Sequence, residues 1–429
     1  MALAPEMSAA GALGGSAGDT PQVDAPGLNY FVFALFFIFG GITSLNDVII
    51  PKLKDLFTLS FFEASLVQFW FFIAYAVVGI PGARLVKKLG YMRGAVAGLL
   101  AMMAGCLLFI PASQTAAFPM FLLAYFILAT GVVLVQIVAN PLISVLGPER
   151  TTHSRLTFDQ AFNSLGTTIF PYFGAILILG SLASVTAAQL SGAELAAYRT
   201  AESQAIVNGY LGLAAALAVV AGVVWMFRNR LKGEKHEQTS LADGLALLKR
   251  ARFGYGAACI FLYVGAEVAI GSFIVNYLMQ AEVLNLAEQD AGKLISLYWG
   301  GALVGRFIGS AVLRLVSPGL TLAAVAAGAI TLIAISANAT GAVAGYSLLA
   351  VGLMNAIMFP TIFSLACEKL GPRAADGSGI INVAICGGAI IPPMYAALAD
   401  ATSLAFALVL PAACYAIIAG FGIFDRKPA

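Results

Sequence analysis

Two carboxylates stand inside stretches of the chain that are otherwise apolar. Asp47 follows Asn46 in "SLNDVIIP", after fifteen uncharged residues from Tyr30 to Ser44, and Glu267 sits midway along "FLYVGAEVAIGSFIVNYL", Phe261 to Leu278. An ionisable side chain at the centre of a bilayer costs roughly 2.5–3.5 kcal/mol on insertion scales, so few are kept without use. Asp47 has two readings. A buried carboxylate can take up a proton or Na⁺ on one side of a membrane and release it on the other, which coupling to an ion gradient requires. The alternative is an exposed helix-end carboxylate beside Lys52 and Lys54. Glu267 has three readings: an acceptor for the hydroxyls of a solute, a cation site, or a polar tie between helices. Glu63 and Asp159 fall near the ends of apolar stretches, where water reaches them.

Amides supply the neutral polar groups. Gln136 and Asn140 are four residues apart and share one helix face; Gln160, Asn163 and Thr167 follow i, i+3, i+7 and share another. Asn46, Gln68, Asn276, Asn355 and Asn382 add to the set. Amides and carboxylates suit a ring of hydroxyls, because each offers donors or acceptors without demanding a matching charge. Phe36, Phe39, Tyr263, Trp299 and Phe359 could supply flat apolar surface beside them. The plainer reading of any one amide is a hydrogen bond between helices, worth about 0.6 kcal/mol on average, and of an aromatic ring, packing. Arg84, Lys87, Lys88 and Arg93 lie in "GARLVKKLGYMRG", and Arg306 lies in its echo, "GGALVGRFIGS". They form either a gating loop whose cations meet a helix end or an ordinary basic connection on the cytoplasmic side.

Other chemistries are excluded. The two histidines, His153 and His236, are both in polar connections, so no metal cluster or nucleophile–base pair can be assembled in the apolar stretches. The five cysteines are an odd number in apolar surroundings and read as small buried hydrophobes. No phosphate-binding loop is present. The chain is therefore not read as an enzyme, and no cofactor is expected beyond a coupling ion, H⁺ or Na⁺. A net charge of +2 without a basic face gives no reason to expect nucleic acid.

The elements that must position these groups follow from composition. Of 429 residues, 60% are hydrophobic and only 10% charged, against about 25% charged in soluble domains, so the class is all-α and the solvent is a lipid bilayer. A spanning helix needs about 20 mostly apolar residues. Twelve are expected, near 28–50, 61–83, 92–111, 118–146, 157–181, 206–227, 253–278, 290–313, 320–338, 341–364, 374–397 and 403–424. With both termini in the cytoplasm, nineteen of the 23 Lys and Arg fall on the cytoplasmic side, and Lys52, Lys54, Arg199 and Lys293 fall on the other, as basic bias requires. Residues 1–27 contain no Lys or Arg and read as a disordered tail. The polar stretch 228–252 then separates a six-helix half, 28–227, from a second, 253–429. The halves echo each other: Gly166 precedes Pro171 as Gly387 precedes Pro392, and "NPLISVLGP" resembles "FPTIFSLACEKLGP", at a nearly constant offset. Two parallel six-helix repeats imply alternating access to a site between them.

The motifs "SLNDVIIPKL", "VANPLISVLGPERT", "SRLTFDQAFNSLGTTIFP", "YVGAEVAIGSFIVNYL", "YWGGALVGRFIGS" and "MFPTIFSLA" occur in order from about residue 28 to 424. In this set the chain resembles the fucose/glucose/galactose permease family of the major facilitator superfamily. That resemblance implies a monomeric, multi-pass symporter of the bacterial inner membrane that takes up a sugar with a proton or Na⁺. It implies that Asp47 is the coupling carboxylate and that Gln160 and Asn163 contact sugar, and Asn140 matches the asparagine of the family's "ANP" motif. Gln136 stands where the fucose branch carries a glutamate, Glu267 where that branch carries an amide, and Phe359 where it carries a tyrosine. "GAEVAIGSF" resembles the glucose/galactose branch, to which some N-acetylglucosamine permeases are close. Glucose or galactose is thus the expected substrate, with N-acetylglucosamine or fucose as alternatives. A drug-efflux antiporter on the same scaffold would want a greasier pocket and fewer amides.

Overall fold

The computed structural model describes residues 26–115, 117–145, 152–179, 187–229, 246–313, 315–367, 370 and 374–425, and all regular structure there is helical. The first half holds α1 (Pro26–Phe57), α2 (Phe61–Leu89), α3 (Tyr91–Thr115), α4 (Phe118–Val145), α5 (Thr152–Gly174), which continues into a π turn, Ala175–Leu179, and α6 (Gly192–Met226). The second holds α7 (Ala251–Leu278), α8 (Glu288–Val312), α9 (Pro318–Asn338), α10 (Gly341–Asn355), α11 (Met358–Cys367), α12 (Ala374–Ala384), α13 (Gly387–Ala401), α14 (Leu404–Ala407) and α15 (Val409–Phe424). Spans ten, eleven and twelve are each built from two consecutive helices. Lipid offers no partner for backbone N–H and C=O groups, so helices are the form such apolar runs take. Eleven described stretches are long and apolar enough to cross a membrane. The one expected span outside that set, 290–313, is α8, which carries Glu288, Asp290, Lys293 and Arg306 and is less apolar.

Two spans are longer than their apolar cores suggest. α1 continues through Pro51 to Phe57, and α6 begins at Gly192 rather than near 206. The extra turns satisfy each other's polar groups. Lys52 of α1 pairs with Glu202 of α6 at 2.5 Å, both side chains buried. Tyr198 donates to Asp55 at 3.0 Å, and Arg199 donates to the Leu56 carbonyl at 3.0 Å. The expected tail lies almost wholly outside the described residues, as does the linker between 230 and 245.

Within the first half α1 packs on α5, α3 on α4 and α6, and α2 on α4; within the second α7 packs on α13, α11 and α15, α8 on α10, and α9 on α10 and α15. The echoed glycines explain one pairing in each half. A Cβ on Gly166 of α5 would overlap the Phe37 carbonyl of α1, and a Cβ on Gly387 of α13 would overlap the Phe261 carbonyl of α7. Only glycine permits that approach. The same contact made twice, in the same order, is the repeat seen as structure.

The halves meet through α1 with α7, α2 with α13, and α5 with α8. They are fastened at the end of the bundle where α1 finishes and α2 begins. There the Asp400 carboxylate of α13 accepts from the Phe61 and Phe62 backbone N–H groups of α2, at 2.8 and 2.7 Å. These are free donors of a helix N-terminus, so a carboxylate is a fitting cap. Gln289 of α8 donates to the Ile176 carbonyl at 3.2 Å and adds a second tie.

Candidate functional site

Asp47 is not a solvated helix-end carboxylate. It is 2% exposed and faces the second half across the seam. The two lysines that follow it are engaged elsewhere: Lys52 with Glu202, and Lys54 over the Phe61 ring at 4.3 Å. Two neighbours donate to the Asp47 carboxyl group, and a third hydroxyl lies close by. Gln68 of α2 reaches Oδ1 at 3.0 Å, and Trp299 of α8 reaches Oδ2 through its indole N–H at 3.0 Å. Ser272 of α7 lies 3.5 Å from Oδ1, although its better bond is to the Val268 carbonyl at 2.7 Å. One group of the first half is thus held by α8 of the second and lies against α7. Because Gln68 turns its N–H₂ to Asp47, its oxygen faces Asn46, whose Nδ2 is 3.4 Å away. Asn46 Oδ1 is left buried with no partner in the structure.

Glu267 is half-buried on α7 and anchors a second cluster. Tyr263, one turn earlier on the same face, donates to Oε1 at 2.6 Å. The Tyr263 hydroxyl is also 3.0 Å from the Asn355 carbonyl, at the interruption between α10 and α11. Tyr298 of α8 donates to the Glu267 carbonyl at 3.1 Å and accepts from Asn355 Nδ2 at 2.9 Å; Tyr415 of α15 donates to Asn355 Oδ1 at 2.8 Å. Both polar ends of Asn355 are therefore taken up by phenols, and the residue is 1% exposed. It builds the cluster rather than offering a free edge to a solute. Arg306 and Asp47 both lie within electrostatic reach of Glu267.

The remaining expected residues divide. Gln136 donates to the Tyr75 hydroxyl at 3.0 Å, joining α4 to α2, and both side chains are part-exposed. Asn163 points toward α1, with Nδ2 3.4 Å from the Phe36 carbonyl. Phe36 lies against Phe39, and Phe359 against Tyr263 and Phe363. Asn276 is half-buried with Oδ1 unpartnered in the structure. Asn382 is exposed on α12, away from these clusters' hydrogen bonds. Asn140 and Gln160 lie on α4 and α5, but their side chains fall outside the described part of the molecule.

The expected gating loop is corrected. Arg84 and Lys88 lie within α2, and Arg93 opens α3, so the connection shrinks to Gly90, with φ at 81°. All three side chains are exposed, and that of Lys87 falls outside the described part. Long cationic side chains reach water from a helix end, so basic residues need not mark a loop. Arg306 belongs to no loop: it sits inside α8 and donates across the seam to the Ser164 hydroxyl of α5. Sequence reasoning also read Trp299 and Tyr263 as flat surface for a solute or as packing, not as hydrogen-bond donors, and passed over Ser272, Tyr75, Tyr298 and Tyr415. The Tyr263–Glu267 spacing was the one readable signal among them.

A helical bundle of two pseudo-symmetric halves, with carboxylates, amides and phenols gathered where the halves meet, is the build of an alternating-access membrane transporter. The family model of the Major Facilitator Superfamily matches residues 32–393. The chain is 45% identical to the glucose/galactose transporter of Brucella abortus (biovar 1, strain 9-941), over 92% of each chain. It is 32% identical to the L-fucose-proton symporter of Escherichia coli (strain K12), again over 92% of each. Among solved structures, the Major Facilitator Superfamily transporter FucP in its outward conformation superposes with a TM-score of 0.69 at 31% identity, over 94% of this chain and 99% of that one. The chain belongs to the Major Facilitator Superfamily and, within it, to the fucose/glucose/galactose permease family, on the glucose/galactose side. It is a multi-pass transport protein and not an enzyme.

Proposed function

We propose that the protein is a secondary active transporter that carries a monosaccharide, glucose or galactose, together with a proton or Na⁺ by alternating access. The observation that carries this reading is Asp47: a buried carboxylate of one half held by Trp299 of the other, with Ser272 beside it. A group in that position feels both the coupling ion and the separation of the halves. The names of the relatives support a hexose, and the higher identity to the glucose/galactose transporter favours glucose or galactose over fucose. Gln136, Tyr75, Asn163 and Glu267 supply donors and acceptors for hydroxyls, with the half-buried Phe359 as apolar surface; Phe36 and Phe39 are buried and pack against each other. Asn140 and Gln160 join this set on the strength of the family resemblance.

The basic bias puts both termini in the cytoplasm of a bacterial inner membrane. The fastened end, with Asp400 and the start of α2, then faces outward, and the arrangement is closed to the outside. The protein works as a monomer, since each chain carries both halves of the site. Uptake into proteoliposomes tests all of this with a hexose panel under a pH gradient, a Na⁺ gradient and neither. Accumulation of glucose or galactose under one gradient is expected. Equal uptake under all three conditions would remove the coupling, and no uptake of any hexose would remove the substrate class.

A further inference from the structure

A phenol has one proton to give. Tyr415 gives its proton to Asn355 Oδ1, and Tyr298 gives its proton to the Glu267 carbonyl. Tyr263 faces two acceptors, Glu267 Oε1 at 2.6 Å and the Asn355 carbonyl at 3.0 Å. If Glu267 is charged, it takes the Tyr263 proton, and the Asn355 carbonyl loses that donor in buried surroundings at the α10–α11 interruption. If Glu267 is protonated, every contact closes. Glu267 O–H donates to the Tyr263 oxygen, and Tyr263 O–H donates to the Asn355 carbonyl. A buried carbonyl left without a donor is unfavourable, so the two states of Glu267 are unequal at the interruption.

We propose that Tyr263 is a positioning residue that converts protonation of Glu267 into closure of the α10–α11 interruption. A proton on Glu267 releases the Tyr263 hydroxyl to seat the Asn355 carbonyl, and loss of the proton withdraws it. The proton moves between solvent and Glu267, and no other bond is made or broken. This rests on the proposed transporter reading, with Glu267 taken as the cation site that the sequence allows as well as a sugar contact, and adds the backbone element it acts upon. The groups that face Glu267 are Tyr298 and Arg306 from α8, Tyr415 from α15 and Asp47 from α1. α11 brings no Asp, Glu, Lys, Arg or His, Asp400 of α13 is engaged with α2, and the side chain of Asp376 on α12 lies outside the described part.

Infrared difference spectroscopy on the full chain in lipid nanodiscs tests the proposal, because a neutral carboxyl carbonyl absorbs apart from a carboxylate. A neutral-carboxyl band that titrates away as pH rises is expected, and Glu267→Gln should abolish it. Tyr263→Phe should move the band to higher frequency and displace its midpoint by about one pH unit, the size of one hydrogen bond. A band unmoved by Tyr263→Phe, or no neutral-carboxyl band lost in Glu267→Gln, overturns the proposal. Should Tyr263→Phe fail to fold, hydrogen exchange of the wild-type chain decides. Protection of the amides of 356–359 and 361, corrected for intrinsic rate, should fall as that band disappears; protection that is flat with pH overturns it. Sugar uptake by the same preparation keeps the readings apart: no hexose flux with an intact infrared response removes the proposed substrate and leaves the Tyr263 device standing.

Discussion

Trp299→Phe deletes one hydrogen-bond donor and keeps an aromatic ring in place. The deleted N–H lies 3.0 Å from Asp47 Oδ2 and crosses from the second half to the first. No nearby donor replaces it, because the Ser272 hydroxyl is committed to the Val268 carbonyl at 2.7 Å. A hydrogen bond to a charged group contributes about 1.5–3 kcal/mol, and one to a neutral group about 1 kcal/mol. The bond exists only while the halves are together, so its whole value falls on the closed arrangement. The ratio of closed to separated molecules should therefore drop roughly 10- to 100-fold if Asp47 is charged, and about fivefold if it is neutral. Spin labels at Phe62 and Phe406, exposed residues of opposite halves at the fastened end, would report the two populations as short and long distances. Cys386 should be replaced by alanine first, since the other native thiols are buried. Trp299→Phe should raise the long-distance population. In an Asp47→Ala background it should add little, because its partner is already gone. An unchanged distance distribution, or effects of the two substitutions that simply add, would refute the account of the seam.

Asp47→Asn should abolish gradient-driven hexose accumulation in vesicles, and accumulation at the wild-type level removes the coupling role. Glu267→Gln or Gln160→Ala should weaken hexose binding in equilibrium measurements; unchanged affinity in both takes them out of the site. Asp400→Asn leaves a neutral acceptor at the start of α2, costing about 1 kcal/mol of closure, which the same distance measurement would read as about a fivefold loss of the short population. Gly166→Leu pushes a side chain into the Phe37 carbonyl and should lower the thermal transition by the equivalent of about 1–3 kcal/mol or more. An unshifted transition there would mean that α1 and α5 do not pack as described.

How much of this was legible in the sequence depends on what lipid makes costly. A carboxylate in an apolar run announces itself, so Asp47 and Glu267 stood out, and twelve apolar stretches gave the helices. Contacts made by residues distant in sequence did not announce themselves. Trp299 looks like any other aromatic residue of a span until α8 is laid beside α1, and Tyr415 reaches Asn355 from the last helix. The interruption at 356–357 has a proline behind it: Pro360, four residues on, has no N–H for the Ala356 carbonyl. The interruption at 385–386 has none so placed, and Pro392 and Pro393 lie inside α13. The Asn355 carbonyl is satisfied by a tyrosine of another span, which local sequence does not encode. Runs of lysine and arginine suggested a loop where the backbone stays helical on both sides of Gly90, because the cost of a cation is met by the reach of its side chain.

The repeat carries one further consequence. Gly166 meets the carbonyl of Phe37, and its echo Gly387 meets that of Phe261, so α1 and α7 can be aligned position for position. Ten residues beyond these carbonyls stand Asp47 in α1 and Gly271 in α7. Asp47 is thus opposite its own counterpart. A Cβ on Gly271 would lie 3.3 Å from Asp47 Oδ2 and 3.4 Å from Cζ2 of Trp299. Where two related helices cross, equivalent residues meet, and two carboxylates there would repel. One half carries the acid and the other carries the space for it and for the indole. Replacing a helical glycine with a better helix former should leave α7 at least as stable in itself. The penalty should appear only when the halves close. Gly271→Leu is therefore expected to fold, to stop hexose uptake, and to populate the long distance between Phe62 and Phe406. If Gly271→Leu carried hexose at the wild-type rate with the short distance retained, α1 and α7 would not meet at Asp47, and the coupling carboxylate would have to act from elsewhere.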